Sequence, residues 1–378
     1  MDLISISIFF LGCFLFSYIE KKNKIPFAKW IFIIPFCFLI MNRSMDVPDT
    51  EIYVDYLLSE STSLSYYHES GYGFEVGFQA FTKLVKIVFD ENYKIYFAII
   101  TLINLLLIDN SIKRIYRLFK KESIIGVSDI KASLLVDSPD YSIIPLTLYI
   151  AFFGLYFNAI VLRVGIAFSL IILAASFSAK PDKKIFDYIL VILLITLATL
   201  FHSTALIGII IILIILFSKK ISFKTYFIIS LIIGVVYFSN LTSRLGSTVF
   251  NFIASLNNLT LLSEKLNNYG GESVFTAEGI SMKFVFFWLM SFVLLFNDTQ
   301  SKIYYKLFNV YLLGLAVFAL MRRVLFVERV TDYFLLFSFV LFYLYLIRQS
   351  NIKFWMYYVG IVLVQIVFVM RIINREMV

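Results

Sequence analysis

Residues 141–218 read YSIIPLTLYIAFFGLYFNAIVLRVGIAFSLIILAASFSAKPDKKIFDYILVILLITLATLFHSTALIGIIIILIILFS. Four apolar runs, 141–158, 160–179, 185–201 and 203–218, follow one another with almost nothing between them. The breaks are Arg163 just inside the second run, a lysine patch at Lys180, Lys183 and Lys184, and the turn His202-Ser203-Thr204. A helix rising 1.5 Å per residue needs about 20 apolar residues to cross a hydrocarbon core of ~30 Å. Runs of roughly this length, apolar on every face and polar only at their ends, predict four consecutive membrane helices.

The rest of the chain extends the pattern. Of 378 residues, 61% are hydrophobic and 15% charged, where a soluble domain carries about 25% charge. That excludes a soluble enzyme, a disordered chain and a secreted disulfide scaffold. Phe (42) and Tyr (24) are abundant and Pro (6) is scarce, as lipid-facing helices with aromatic belts require. Cys13 and Cys37 both lie in apolar runs and suggest neither a disulfide framework nor a thiolate metal cage. Further runs at 3–19, 26–41, 94–109, 225–239, 280–296, 303–321, 330–347 and 353–370 bring the expectation to about 12 spans, within 11–14. The fold class is an all-α polytopic integral membrane protein, a single transmembrane domain over 1–378. The basic residues of the first run follow its apolar stretch, unlike those of a cleavable signal.

The net charge of +8 is distributed as the positive-inside rule demands, not as a nucleic-acid footprint. Basic clusters follow each odd-numbered span: Lys21 to Lys24, Lys113 to Lys121, Lys180 to Lys184, Lys219 to Lys224, Lys302, and Arg348 with Lys353. Odd spans therefore end in the cytoplasm and both termini fall outside. Residues 42–93 and 240–279 become outer loops and 110–140 a basic cytoplasmic loop, starting as a surface helix. This parity holds only if 77–89, GFQAFTKLVKIVF, is an interfacial or re-entrant helix on the outer side.

Candidate chemistry then gathers at one face. His68 lies in a polar loop, but His202 stands at the outer turn between two apolar spans. It could cap a helix, or as a neutral imidazole take a proton from a hydroxyl. Arg43, Arg163, Arg322, Arg323 and Arg329 all fall on the outer side, against the positive-inside trend. Singly they could snorkel; together their planar forks suit the oxygens of a diphosphate headgroup. Asp46 and Asp49 could pair with arginines, hold a cation or bind sugar hydroxyls, and Glu75 precedes the re-entrant segment. Nothing beyond Asp46 and Asp49 has spacing suited to Mg²⁺ or Mn²⁺, so no metal or cofactor is expected. No Walker loop, GxGxxG, HExxH or GxSxG is present.

These residues, in this order, resemble the EpsG/Wzy family of polysaccharide polymerases. The family's Arg followed by an Asp-Thr-x-x-Tyr patch is matched by Arg43, Asp49, Thr50 and Tyr53, and its Glu-x-Gly-Phe element by Glu75, Gly77 and Phe78. Its Arg-x-x-x-Ala helix is matched by Arg163 and Ala167, its Phe-His turn by Phe201 to Leu206, and its Arg-x-x-x-Tyr-Phe element by Arg329, Tyr333 and Phe334. Pro48 stands where the family has Gly and Val164 where it has a polar residue.

The resemblance implies a GT-C-like helical fold in the bacterial plasma (inner) membrane. It implies a glycosyltransferase that polymerises oligosaccharide repeat units carried on undecaprenyl diphosphate at the outer face, toward O-antigen, capsule or exopolysaccharide. His202, Asp49 or Glu75 would act on the acceptor hydroxyl. Arg43, Asp46, Tyr53, Arg163, Arg322, Arg323, Arg329 and Tyr333 would bind substrate. Partners would be lipid-linked donor and acceptor, membrane lipids and a chain-length regulator, with no nucleic acid. The competing classes are an O-antigen ligase, sharing the donor, and a lipid-linked oligosaccharide flippase, whose charges should run through the bundle's depth. An acyltransferase fits poorly, because its acyl-CoA is cytoplasmic. The orientation is open to a direct test: an impermeant thiol reagent added outside should modify S63C and spare S128C. Modification of S128C would make 77–89 a true span and divide the arginine cluster.

Overall fold

The computed structural model describes residues 3–23, 27–59, 74–124, 141–239, 279–297, 301–322 and 327–375. Every regular element among them is helical. In chain order these are α1 (Leu3–Lys22), α2 (Ala28–Met41), α3 (Thr50–Leu58), α4 (Val76–Phe89) and α5 (Tyr93–Ile124). Next come α6 (Ile143–Ala159), which contains a π turn at Ile150–Gly154, α7 (Leu162–Ser178), α8 (Ile185–Phe201) and α9 (Ser203–Phe217). The remainder are α10 (Phe223–Phe238), α11 (Met282–Leu295), α12 (Lys302–Leu320), α13 (Val327–Leu335), α14 (Phe337–Leu346) and α15 (Asn351–Arg375). Eleven of the twelve apolar runs read from the sequence fall on one helix each, and 330–347 falls on two, α13 and α14. Among the described residues five stretches are long and apolar enough to cross a membrane, Ile4–Lys22, Tyr93–Ser123, Lys302–Leu320, Glu328–Leu346 and Asn351–Ile373, and seven others are shorter apolar helices.

One expectation is revised. The basic segment after residue 109 is not a separate surface helix, because α5 runs unbroken from Tyr93 to Ile124. No Gly or Pro interrupts it, and its Leu, Lys and Arg content favours continuation. The 240–279 loop falls outside the described residues save for Gly279, as do residues 60–73 and 125–140 of the two other long loops.

Contacts divide the chain into two units, residues 1–216 with 342–378, and residues 217–341. In the first, α7 is the inner helix, packed against α5, α8 and the end of α6. Nearly its whole circumference is buried, from Leu162 through Ser178, apart from Arg163, Val164 and Phe177. Neighbouring α8 instead turns Ile185, Phe186, Ile189, Ile192 and Leu193 outward, an apolar face suited to lipid. At one end Glu20 accepts the backbone N–H groups of Ser142, Ile143 and Ile144 at the start of α6, a carboxylate meeting a helix N-terminus. The Arg114 guanidinium lies over the Phe177 ring, 3.6 Å from its centre. At the other end sit Arg43, Glu75, Arg163 and His202.

Two glycines set that end. A Cβ on Gly77 would stand 2.8 Å from the Cβ and carbonyl oxygen of Leu200, so only Gly lets the start of α4 abut the end of α8. A Cβ on Gly165 would stand 2.8 Å from the Phe157 carbonyl, so the α6–α7 corner closes equally tightly. Helix α4, at 14 residues, reaches only about 21 Å, short of a ~30 Å core.

The second unit packs α12 against α10, α11 and α13. Ser222, Ser281 and Ser301 start α10, α11 and α12 by accepting the N–H groups of Thr225, Phe284 and Tyr304, the usual N-cap arrangement. A buried ion pair, Lys283 Nζ to Asp332 at 2.7 Å, ties α11 to α13.

Backbone contact at Gly77 leaves a methyl group nowhere to go, and overpacking of this kind costs about 1–3 kcal/mol. G77A should therefore lower the thermal midpoint of the detergent-solubilised protein. G12A, where nothing lies within 4 Å, should leave it unchanged or slightly raised; equal midpoints for both variants would refute the close approach.

Candidate functional site

The turn Phe201 to Leu206 places His202 between two helices. Its N–H closes α8 on the Ala198 carbonyl at 2.9 Å, its backbone is extended, and α9 begins at Ser203. The N–H of Ser203 points out of the new helix and donates to Glu75 Oε1 at 3.1 Å, with the Ser203 hydroxyl at 3.4 Å. Glu75 thus sits at the N-terminus of α9, where the helix dipole favours negative charge. The same oxygen lies 3.1 Å from His202 Nδ1. The other oxygen, Oε2, accepts a 2.6 Å hydrogen bond from Arg163 Nη1.

One carboxylate therefore joins residues 75, 163 and 203 with the imidazole of His202. Burial alone pushes the Glu75 carboxyl up. The His202 imidazole 3.1 Å away, the charge of Arg163 and the Ser203 N–H outweigh it and hold the group well below the usual carboxylate range. A carboxylate so firmly ionised is a poor base. It is well suited to accept Nδ1–H from His202, which leaves the lone pair of the neutral imidazole on Nε2.

Aromatic side chains fix the charged ones. The Arg163 guanidinium lies 4.6 Å from the Phe74 ring centre. Phe74 in turn contacts Tyr53 at 6.0 Å and Tyr56 at 4.7 Å, and its carbonyl accepts from Gln79 Nε2 at 2.6 Å. Tyr53 is buried, and Arg163 also hydrogen-bonds its hydroxyl. Arg43 is deeper still at 5% exposure, over the Phe97 ring at 3.6 Å, and Nη1 donates to the carbonyls of Asn158 (3.0 Å) and Ala159 (2.8 Å).

The acidic patch is more open. Asp46 is exposed and accepts the Ser44 hydroxyl at 2.5 Å. Asp49, also exposed, starts α3 with φ +59°. The Pro48 departure explains this, since proline's ring holds φ near −65° and the left-handed step passes to Asp49, a residue type that tolerates it.

The structure places Arg43, Asp46, Asp49, Tyr53, Glu75, Arg163 and His202 in one unit, with Glu75, Arg163, His202 and Tyr53 in a single network. Arg322 and Tyr333 belong to the other unit. There Arg322 donates to the carbonyls of Tyr237 (2.8 Å) and Gly279 (2.7 Å) and lies over the Tyr237 ring. Tyr333 is buried and Arg329 exposed. Arg323 and His68 lie outside the described residues. Sequence reasoning missed Phe74 and Ser203, both adjacent to chosen residues, and the pair Lys283 and Asp332. A lysine opening an apolar run and a carboxylate inside one were available signals. Among the described residues no three His, Cys, Asp or Glu side chains gather in metal-binding range.

Comparison with protein families matches the EpsG family over residues 27–377. The chain belongs to the EpsG family, a Wzy-type polymerase-like family. Searches of curated proteins and of solved structures gave no match.

Proposed function

We propose that this EpsG-family protein is a membrane glycosyltransferase that polymerises oligosaccharide repeat units carried on undecaprenyl diphosphate, at the outer face of the bacterial plasma membrane. The observation that carries the reading is the Glu75 carboxylate shared between Arg163 and His202. Glycosyl transfer from a lipid diphosphate has two electrostatic demands: a proton must leave the acceptor hydroxyl, and negative charge must be met as the diphosphate departs. His202, with Nδ1–H directed to Glu75, takes the hydroxyl proton on Nε2. The freed oxygen bonds to the anomeric carbon, and the bond from that carbon to the diphosphate oxygen breaks. The leaving group takes the electron pair, and Arg163 meets its charge.

Glu75 has a distinct role here. It orients the imidazole, stabilises the imidazolium as it forms, and holds the Arg163 guanidinium beside it. Asp46 and Asp49, exposed beside α3, are placed to accept sugar hydroxyls.

A positioned base contributes about 10²–10⁴-fold. H202Q keeps the volume and a hydrogen bond but cannot become cationic. Given purified lipid-linked repeat units, it should bind donor yet make product slower by that factor, leaving single units unjoined. E75Q should fail likewise. Long polymer from H202Q at the wild-type rate would remove His202 as base; no joining by the wild-type protein, with lipid-linked units moved across the bilayer of proteoliposomes, would favour a flippase.

A further inference from the structure

We propose that Arg43 and Tyr53 are positioning residues that hold Arg163 against Glu75, one through the backbone and one through the guanidinium, without touching substrate. The inference rests on the proposed glycosyl-transfer reading and deepens it, by separating the arginine that meets the diphosphate from the one that supports it.

The backbone hold lies at the break between α6 and α7. Helix α6 ends at Ala159, the Ile160 N–H still donates to the Tyr156 carbonyl at 3.0 Å, Val161 leaves helical geometry (φ −103°, ψ 67°), and α7 starts at Leu162. The last carbonyls of a helix have no intrahelical donor and must find one elsewhere. Arg43 Nη1 supplies it to both Asn158 and Ala159. Asn158 is itself pinned, its Oδ1 accepting from Asn104 Nδ2 at 2.9 Å and its Nδ2 donating to Gly154 at 2.7 Å. Arg163 is the second residue beyond this corner, so the corner's geometry is the origin of its side-chain direction.

The second hold is direct. Tyr53 shares a hydrogen bond with Arg163 and an electrostatic contact with Arg43. Exposure orders the three: the Arg163 side chain is 23% exposed, whereas Arg43 is 5% and Tyr53 3%. A headgroup arriving from outside meets Arg163 first, and the pair behind it has no open surface to offer.

Loosening either hold should leave Glu75 serving His202 with less competition from Arg163. The carboxylate then favours the imidazolium more strongly, and the acid limb of the pH–rate profile moves to higher pH. The charged or titratable groups involved are Glu75 and Arg163, His202 at the α8–α9 turn, Tyr53 and Asp49 of α3, Tyr96 of α5, and Arg43.

The experiment compares Y53F, R43M and R43K with wild type in lipid-linked repeat-unit joining. Y53F keeps the ring packing on Phe74 and Phe78 and removes only the hydroxyl. Expected are an unchanged donor KM, a maximal rate lowered on the order of tenfold to a hundredfold as for a small misplacement, the raised acid limb, and partial rescue in R43K over R43M. A second readout is independent of activity: phenylglyoxal modification of Arg163, followed by mass spectrometry, should quicken in Y53F and R43M while that of Arg322 does not change. A raised donor KM with intact maximal rate would make Arg43 and Tyr53 substrate contacts and overturn the proposal. Unaltered Arg163 modification would overturn it as well. Quickened modification in variants of a protein whose H202Q form is fully active would retain the positioning role and discard the catalytic reading.

Discussion

A carboxylate placed where helices converge must be met by donors on both oxygens or it cannot stay charged. At Glu75 that requirement is met by four groups from two separate parts of the chain, the α8–α9 turn and the start of α7. Oε1 takes the Ser203 N–H, the Ser203 hydroxyl and the His202 imidazole, and Oε2 takes Arg163. Removing one partner of this half-buried pair leaves the other charge without its counterion. The start of α4, the start of α7 and the α8–α9 turn are therefore held to one another by a single side chain. Gly77 and Gly165 are the steric conditions that let those backbones approach.

The same arrangement separates roles among residues that look equivalent in sequence. His202, Asp49 and Glu75 were three interchangeable candidates for a base. The geometry distinguishes them: Glu75 is saturated by donors and held ionised, Asp49 is exposed at the start of α3, and His202 has its Nδ1 turned to Glu75. The arginines separate as well. Arg43 and Arg322 each spend guanidinium nitrogens on backbone carbonyls at helix ends, whereas Arg163 is committed to a carboxylate at the more open surface.

The helices were legible because bilayer spans are long, apolar and bounded by charge, and each run found in the sequence is helical. Parity of the basic clusters also brought Arg163 and His202 to the same helix ends, since adjacent antiparallel helices allow no other outcome. Pairing inside the site was less legible. That Glu75 meets Ser203 depends on the direction of a backbone N–H at a helix start, and that Arg43 faces carbonyls depends on a helix break at 160–161. Neither leaves a periodic trace. The unbroken α5 was misread because a change from apolar to basic composition marks a membrane boundary, not a helix end. The pair Lys283 and Asp332 leaves a fainter trace, a single lysine and a single carboxylate in separate apolar runs that meet only through packing of α11 on α13.

The central claim is that Glu75 sets the tautomer of His202. The chain has only two histidines, so H68Q leaves His202 as the sole imidazole. With ¹⁵N-labelled histidine in lipid bilayers at mildly alkaline pH, magic-angle-spinning NMR should report a protonated Nδ1 and an unprotonated Nε2. Adding E75Q should abolish that preference. A His202 carrying its proton on Nε2, with or without Glu75, would contradict the account.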